Sequence, residues 1–221
     1  MKVLITGCSW IQKMHKINTD FYYKSFGGQG LWKIYDEINV NGKDYKNIVV
    51  QLPSPVRNHP TCRSTTNRFN IFLNKIKKLG EIKATQDLLE EYKQKILDIN
   101  KLNKNIVFFL YNVGGYPLRH PYDFGKNADK ELINFFKENN LKHLYLSFEG
   151  KAGYGLDEKE ELDFKFWEYY HQENPHNQKN KTYKKYWSII SPKNTIILDP
   201  HPNKKADEMA LKLIKNYFKI K

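Results

Sequence analysis

Lys2–Trp10 reads KVLITGCSW, a β-favouring apolar run that stops at Gly7 and hands Cys8, Ser9 and Trp10 to the segment beyond it. Short runs of the same kind recur along the chain: Phe21–Phe26 (FYYKSF), Asn47–Leu52 (NIVVQL), Asn105–Val113 (NIVFFLYNV), Lys142–Phe148 (KHLYLSF) and Thr195–Leu198. Stretches of helical period separate them. Leu31, Ile34, Tyr35 and Ile38 share one face, as do Leu88, Leu89, Tyr92, Ile96 and Leu97. A stripe of Phe69, Phe72, Leu73 and Ile76 precedes Gly80, a residue suited to ending a helix. Lys126–Asn140 reads as a further helix, and Ala206, Met209, Ala210, Leu213, Ile214 and Tyr217 line up on a last one. Strands alternating with helices define a parallel sheet with helices on its faces. The expectation is a three-layer α/β/α domain, flavodoxin-like in class, with a mainly parallel sheet of about five strands.

A chain of 221 residues suits one such domain spanning residues 1–221. Residues 150–193 break the pattern, being rich in Tyr, Trp, Glu, Lys and Asn, with a helix expected around Leu162–Tyr170 and a polar segment from Gln172 to Lys181. They read as an insertion or lid. Hydrophobic residues make up 40% and aromatics 14%, which excludes a disordered polymer. The opening residues turn polar too soon for a secretory leader, and no run approaches the roughly 18 apolar residues of a membrane span. The 2 cysteines, Cys8 and Cys62, have neither zinc spacing nor the density of a disulfide framework. These features point to a reduced, cytoplasmic setting without membrane association.

The formal net charge of +13 comes from 37 Lys and Arg against 24 Asp and Glu. Most of the excess is lysine spread along the whole chain, and the densest cluster, Lys179–Lys185, is short. The charge therefore reads as a solvated surface, with a nucleic-acid partner as the less favoured alternative.

Chemistry-bearing residues cluster at the two ends. KVLITG also opens many dinucleotide-binding domains, but their phosphate turn requires G-x-G-x-x-G, and no glycine follows Gly7 until Gly27. Trp10 and Ile11 would fill the space a pyrophosphate needs. A serine just past a strand is well placed in an open α/β sheet, where ligands bind beyond the carboxyl ends of the strands. Ser9 needs a base to take its proton, and the base needs a carboxylate to fix its tautomer. Asp199–Asn203 (DPHPN) offers both, between a strand and a helix, with Pro200 and Pro202 stiffening the turn. Taken alone, Asp199 reads first as a helix cap and His201 as a loop histidine, because Asp in a turn before a helix is routine.

Together, Gly7-Cys8-Ser9-Trp10 and Asp199–Asn203 resemble the first and last motif blocks of the SGNH (GDSL-like) hydrolases. The resemblance implies Ser9 as nucleophile, His201 as general base and Asp199 as orienting carboxylate. It implies an oxyanion hole from the Ser9 N–H and from Gly28, with Gly27 and Gly30 as near alternatives, in the Ser25–Ile34 segment (SFGGQGLWKI) that occupies the place of the second block. The third block departs from the pattern. Where the family carries an Asn, NIVVQL runs into Pro53-Ser54-Pro55-Val56-Arg57-Asn58, and Ser54 stands nearest the missing donor, with Asn58 or Asn112 as alternatives. Cys8 replaces the family's usual Asp before the nucleophile. Arg57 and Asn112 are candidate substrate-binding residues, a guanidinium at a strand end being suited to an anionic substrate group. What the resemblance implies is an esterase acting on a small O-acyl ester, for instance an acetyl group on a carbohydrate, with no metal or organic cofactor. A non-catalytic SGNH-like ligand binder is the alternative. Cys8 and Ser9 are adjacent at a strand end and so point to opposite sides, and Ser9 is taken to face the cleft. His15, His59, His120, His143, His171 and His176 form no metal-binding spacing and read as surface histidines.

Overall fold

The computed structural model describes residues 2–8, 11, 14–18, 20–26, 30–53, 55, 71, 74–75, 77–103, 105–111, 124–146, 151–154, 157–161 and 204–220. Each apolar run above that lies within these residues forms a strand: β1 (Val3–Gly7), β2 (Tyr22–Ser25), β3 (Asn47–Gln51), β4 (Ile106–Tyr111) and β5 (His143–Leu146). The run Thr195–Leu198 lies outside the described residues, as do Leu162–Tyr170 and the segment Gln172 to Lys181. Helices fall where the period of 3.6 places them: α1 (Leu31–Asn41), α2 (Glu81–Asn100), α3 (Phe124–Glu138) and α4 (Lys204–Phe218). Gly80 precedes α2 with φ of 80°, a left-handed conformation that favours glycine and separates α2 from the helical residues 77–79.

The sheet runs β2-β1-β3-β4-β5 and all four of these pairings are parallel. Leu4 lies opposite both Tyr22 and Ile48, Ile48 opposite Ile106, and Phe108 opposite His143. Two further strands, β6 (Lys151–Tyr154) and β7 (Asp157–Glu161), extend the sheet beyond β5 as an antiparallel hairpin. The sequence did not announce this hairpin. KAGY and DEKEE lack the apolar run of the other strands; KAGY holds its place by pairing with β5, and DEKEE by pairing with β6.

Side chains leave the strands alternately to two faces, and each face has its own core. On one, Val3, Ile5, Val49, Val107, Phe109, Leu144 and Leu146 meet Ala210, Leu211, Leu213 and Ile214 of α4. On the other, Leu4, Ile48, Val50, Ile106, Phe108 and Leu110 meet α1, α2 and α3. The layers are thus α4, sheet, and α1–α3. Burying a leucine or isoleucine fully contributes about 1.5–3 kcal/mol, so the apolar stripe of α4 suffices to dock it. A run of stacked rings ties α3 to the sheet: Phe108 to Phe136 at 5.4 Å, then Phe136 to His143 at 5.1 Å.

Candidate active site at the carboxyl edge of the sheet

β2 lies on one side of β1 and β3 on the other, so the chain reverses its direction of travel across the sheet between β1 and β3. Such a switch point leaves a crevice at the carboxyl ends of the strands, where open α/β sheets hold their ligands. Ser9 follows β1 by two residues, and Ser54 and Arg57 follow β3. Gly28 lies between β2 and α1, Asn112 directly after β4, and Asp199 and His201 shortly before α4. All seven of these site residues lie outside the described residues, and so does Cys62. The described residues include the strand ends that lead to Ser9, Ser54 and Asn112, and the start of α4.

The exit of β1 is pinned on both sides. The Cys8 N–H donates to Gln51 Oε1 at 2.9 Å, and the Cys8 carbonyl accepts from Ser25 Oγ at 2.9 Å. The Phe26 N–H donates to the Gly7 carbonyl at 2.9 Å, continuing the β1–β2 pairing past the strand ends. Gln51 Nε2 donates to the Leu52 carbonyl at 2.6 Å, and Tyr92 of α2 donates its hydroxyl to the Pro53 carbonyl at 2.5 Å. The carbonyls of the two residues that lead to Ser54 are therefore both held, one by a strand side chain and the other by a helix side chain. Gln51 is only 1% exposed, yet both ends of its amide are bonded. Gly7 makes room for it: a Cβ there would fall 2.6 Å from Gln51 Oε1 and 2.7 Å from Gln51 Cβ. The Cys8 thiol points away from the edge into the α4-side core, where it is 2% exposed among Ile11, Met14 and Val49.

The direction of α4 follows from an ion pair near its end. Lys215, near its carboxyl end, meets Asp20, just ahead of β2, at 3.1 Å. Asp20 marks the amino edge of the sheet, so α4 runs antiparallel to the parallel strands and its first residues lie toward the carboxyl edge. Hydrogen bonds from Lys215 and Asn18 hold the exposed Asp20 carboxyl below its ordinary range. Asp207, in the first turn of α4, is fully buried, a position where the helix dipole favours negative charge. Tyr23 of β2 packs beside this core, and its buried hydroxyl makes no hydrogen bond to the described residues. Burial, reinforced by the charges of Asp20 and Asp207, pushes the Tyr23 phenol well above its ordinary value.

Sequence reasoning passed over Gln51, Ser25 and Asp207. Two of them carried a signal. Gln51 is the one polar residue in the IVVQL part of NIVVQL, and Asp207 stands three and seven residues before Ala210 and Ile214, within the apolar stripe. Ser25 carried none, because its partner lies on another strand. Among the described residues no cluster of His, Cys, Asp or Glu could hold a metal ion, and no helix is long and apolar enough to cross a membrane.

No protein-family model matches the sequence, and no curated protein matches it. Solved structures do resemble it. A GDSL-like lipase from Bacteroides thetaiotaomicron superposes with a TM-score of 0.51 at 13% identity, over 99% of this chain and 87% of that one. A candidate acylhydrolase from Bacteroides fragilis (TM-score 0.49, 12% identity, 99% of this chain and 86% of that one) and an acetyl xylan esterase (0.46, 11%, 98% and 99%) are also similar. The chain thus has the three-layer α/β/α fold of SGNH (GDSL-like) proteins, with a five-stranded parallel sheet at its centre. Fold does not by itself assign an activity.

Proposed function

We propose that the chain is a serine ester hydrolase of the SGNH type, with Ser9, His201 and Asp199 as its catalytic triad. The observation that carries this reading is the pinned exit of β1 at the sheet's switch point, one residue before Ser9. The antiparallel course of α4 supports it from the other end of the chain. A helix that begins toward the carboxyl edge, three residues after His201 in sequence, is what a DPHPN turn working with Ser9 requires.

In this mechanism His201 takes the proton of the Ser9 hydroxyl while Asp199 orients its imidazole. The Ser9 oxygen attacks the ester carbonyl, and N–H groups of Ser9 and Gly28 receive the oxyanion, with the Ser54 hydroxyl in place of the family's Asn. Collapse of the tetrahedral intermediate breaks the ester C–O bond. The departing alcohol takes the proton from His201. Water, deprotonated by the same imidazole, then releases the acid and frees Ser9. Arg57 and Asn112 act as substrate-binding residues at the ends of β3 and β4. The substrate class is a small O-acyl ester, such as an O-acetyl group on a carbohydrate.

Fluorophosphonate labelling with mapping of the modified residue, run beside hydrolysis of short-chain nitrophenyl esters, tests the assignment. Label should fall on Ser9, and Ser9→Ala or His201→Ala should lower hydrolysis by about 1,000-fold or more. Hydrolysis indifferent to Ser9→Ala, or label on another residue, would overturn it. A chain that binds acylated sugars without turning them over would instead be a ligand-binding relative.

A further inference from the structure

We propose that Ser25 is a positioning residue for the oxyanion donor at Ser9, with Gln51 as its counterpart on the opposite side of β1. The proposal rests on the reading of Ser9 as nucleophile. A peptide unit is planar, so the Cys8 carbonyl and the Ser9 N–H share one plane and point in opposite directions. Whatever holds that carbonyl therefore aims that N–H. The Ser25 hydroxyl holds it, donating at 2.9 Å across the β1–β2 pair, and the Ile11 N–H adds a longer bond at 3.3 Å.

The preceding peptide is held as firmly. The Cys8 N–H is bonded to a buried amide that is itself tied to the Leu52 carbonyl, so Gln51 links the exits of β1 and β3. Bonds on both polar groups of Cys8 leave little freedom to rotate the unit that carries the donor. Stabilising an oxyanion requires a donor already aimed at the charge that develops, without reorganisation at the moment of reaction. A hydroxyl on the neighbouring strand supplies that aim here. A hydrogen bond to the carbonyl also polarises the peptide and makes its N–H a better donor. Ser25 itself does not touch the substrate in this account.

The expected signature is a loss confined to the transition state. Ser25→Ala should lower kcat for a short-chain ester about 10- to 50-fold and leave KM within about twofold, less than the 100- to 1,000-fold cost of losing a donor outright. The rate of fluorophosphonate labelling at Ser9 should fall in parallel. Ser25→Thr, which keeps the hydroxyl, should restore most of both rates. Gln51→Met, of similar volume but without the amide oxygen that accepts from Cys8 or the amide N–H that donates to Leu52, should show the same kcat-dominated loss when measured on protein whose thermal transition confirms folding. A Ser25→Ala enzyme with unchanged kcat, a rise in KM matching the loss, or a threonine variant as slow as alanine would overturn the positioning role. Label at Ser9 in the wild-type chain separates this outcome from failure of the hydrolase reading, since a wild type that takes no label there sinks both.

Discussion

Gln51 and His143 are both polar side chains sealed inside the sheet, one at its carboxyl edge and the other at its amino edge. Gln51 spends both ends of its amide on backbone groups of two strands. His143 is 0% exposed, with Nδ1 against the Leu141 carbonyl at 3.0 Å and Nε2 making no hydrogen bond to the described residues. A buried polar group without partners costs free energy, and a buried charge costs far more. At the carboxyl edge Gln51 meets that cost by bonding both ends of its amide, which ties together the backbone there. The amino edge meets it by keeping an imidazole neutral against Phe136. Burial, the largest influence, holds the His143 pKa below its ordinary value of 6.5, opposed by the Leu141 carbonyl and assisted by the charge of Lys137. Stiffness is found where the proposed chemistry departs from the sheet, and the pH-sensitive group lies at the other end.

The contrast breaks most severely at Gly7. An alanine there would press its Cβ into Gln51, so Gly7→Ala should destabilise the fold by about 2–3 kcal/mol in urea unfolding. A stability equal to wild type would mean that Gln51 can leave its place freely.

The second way to sharpen it is acid. Below the ordinary histidine value the unfolded chain takes up a proton that folded His143 refuses, so the unfolded state binds more protons and stability falls as pH drops. The loss begins near pH 6.5, ends at the lower folded-state value, and cannot exceed about 1.4 kcal/mol per pH unit for one proton. His143→Phe should flatten the urea midpoint between about pH 7 and pH 5, where a single unfolded-state proton is at stake. An equally steep profile in that variant would assign the acid sensitivity to other groups.

The smallest effect is expected at Tyr92→Phe. Removing its hydroxyl leaves the Pro53 carbonyl unpaired while keeping the ring in the core, for about 1 kcal/mol in the same measurement. No change at all would show that Leu52 and Pro53 are held by Gln51 alone.

Much of the architecture was legible. NIVVQL, NIVFFLYNV and KHLYLSF became β3, β4 and β5 to within a few residues, because a strand buried on both faces must be apolar throughout. The face of α4 was readable for a related reason, since its stripe repeats with the helix period. The hairpin β6–β7 was not legible. Edge strands are shaped by the neighbour they pair with, and DEKEE carries no apolar record of one. His143 read as a surface histidine for want of any local sign of burial, and the structure places it among aromatic rings. Ser9, Gly28, Ser54, Arg57, Asn112, Asp199 and His201 were legible only as types of residue in suggestive places. The bonds of Ser25 and Gln51 to Cys8 emerged only from strand pairing.

By itself the sequence determined which segments are strands and which are helices, and which side of each is apolar. Those properties depend on neighbours within a few residues, where dihedral preference and periodic burial act. Only the tertiary structure decided that β1 lies between β2 and β3, that α4 runs back along one face alone, and that Gln51 reaches Cys8 across 43 positions of chain. Hydrogen bonds between distant strands are set by register and packing, and a linear pattern holds no record of which partner a buried amide will find.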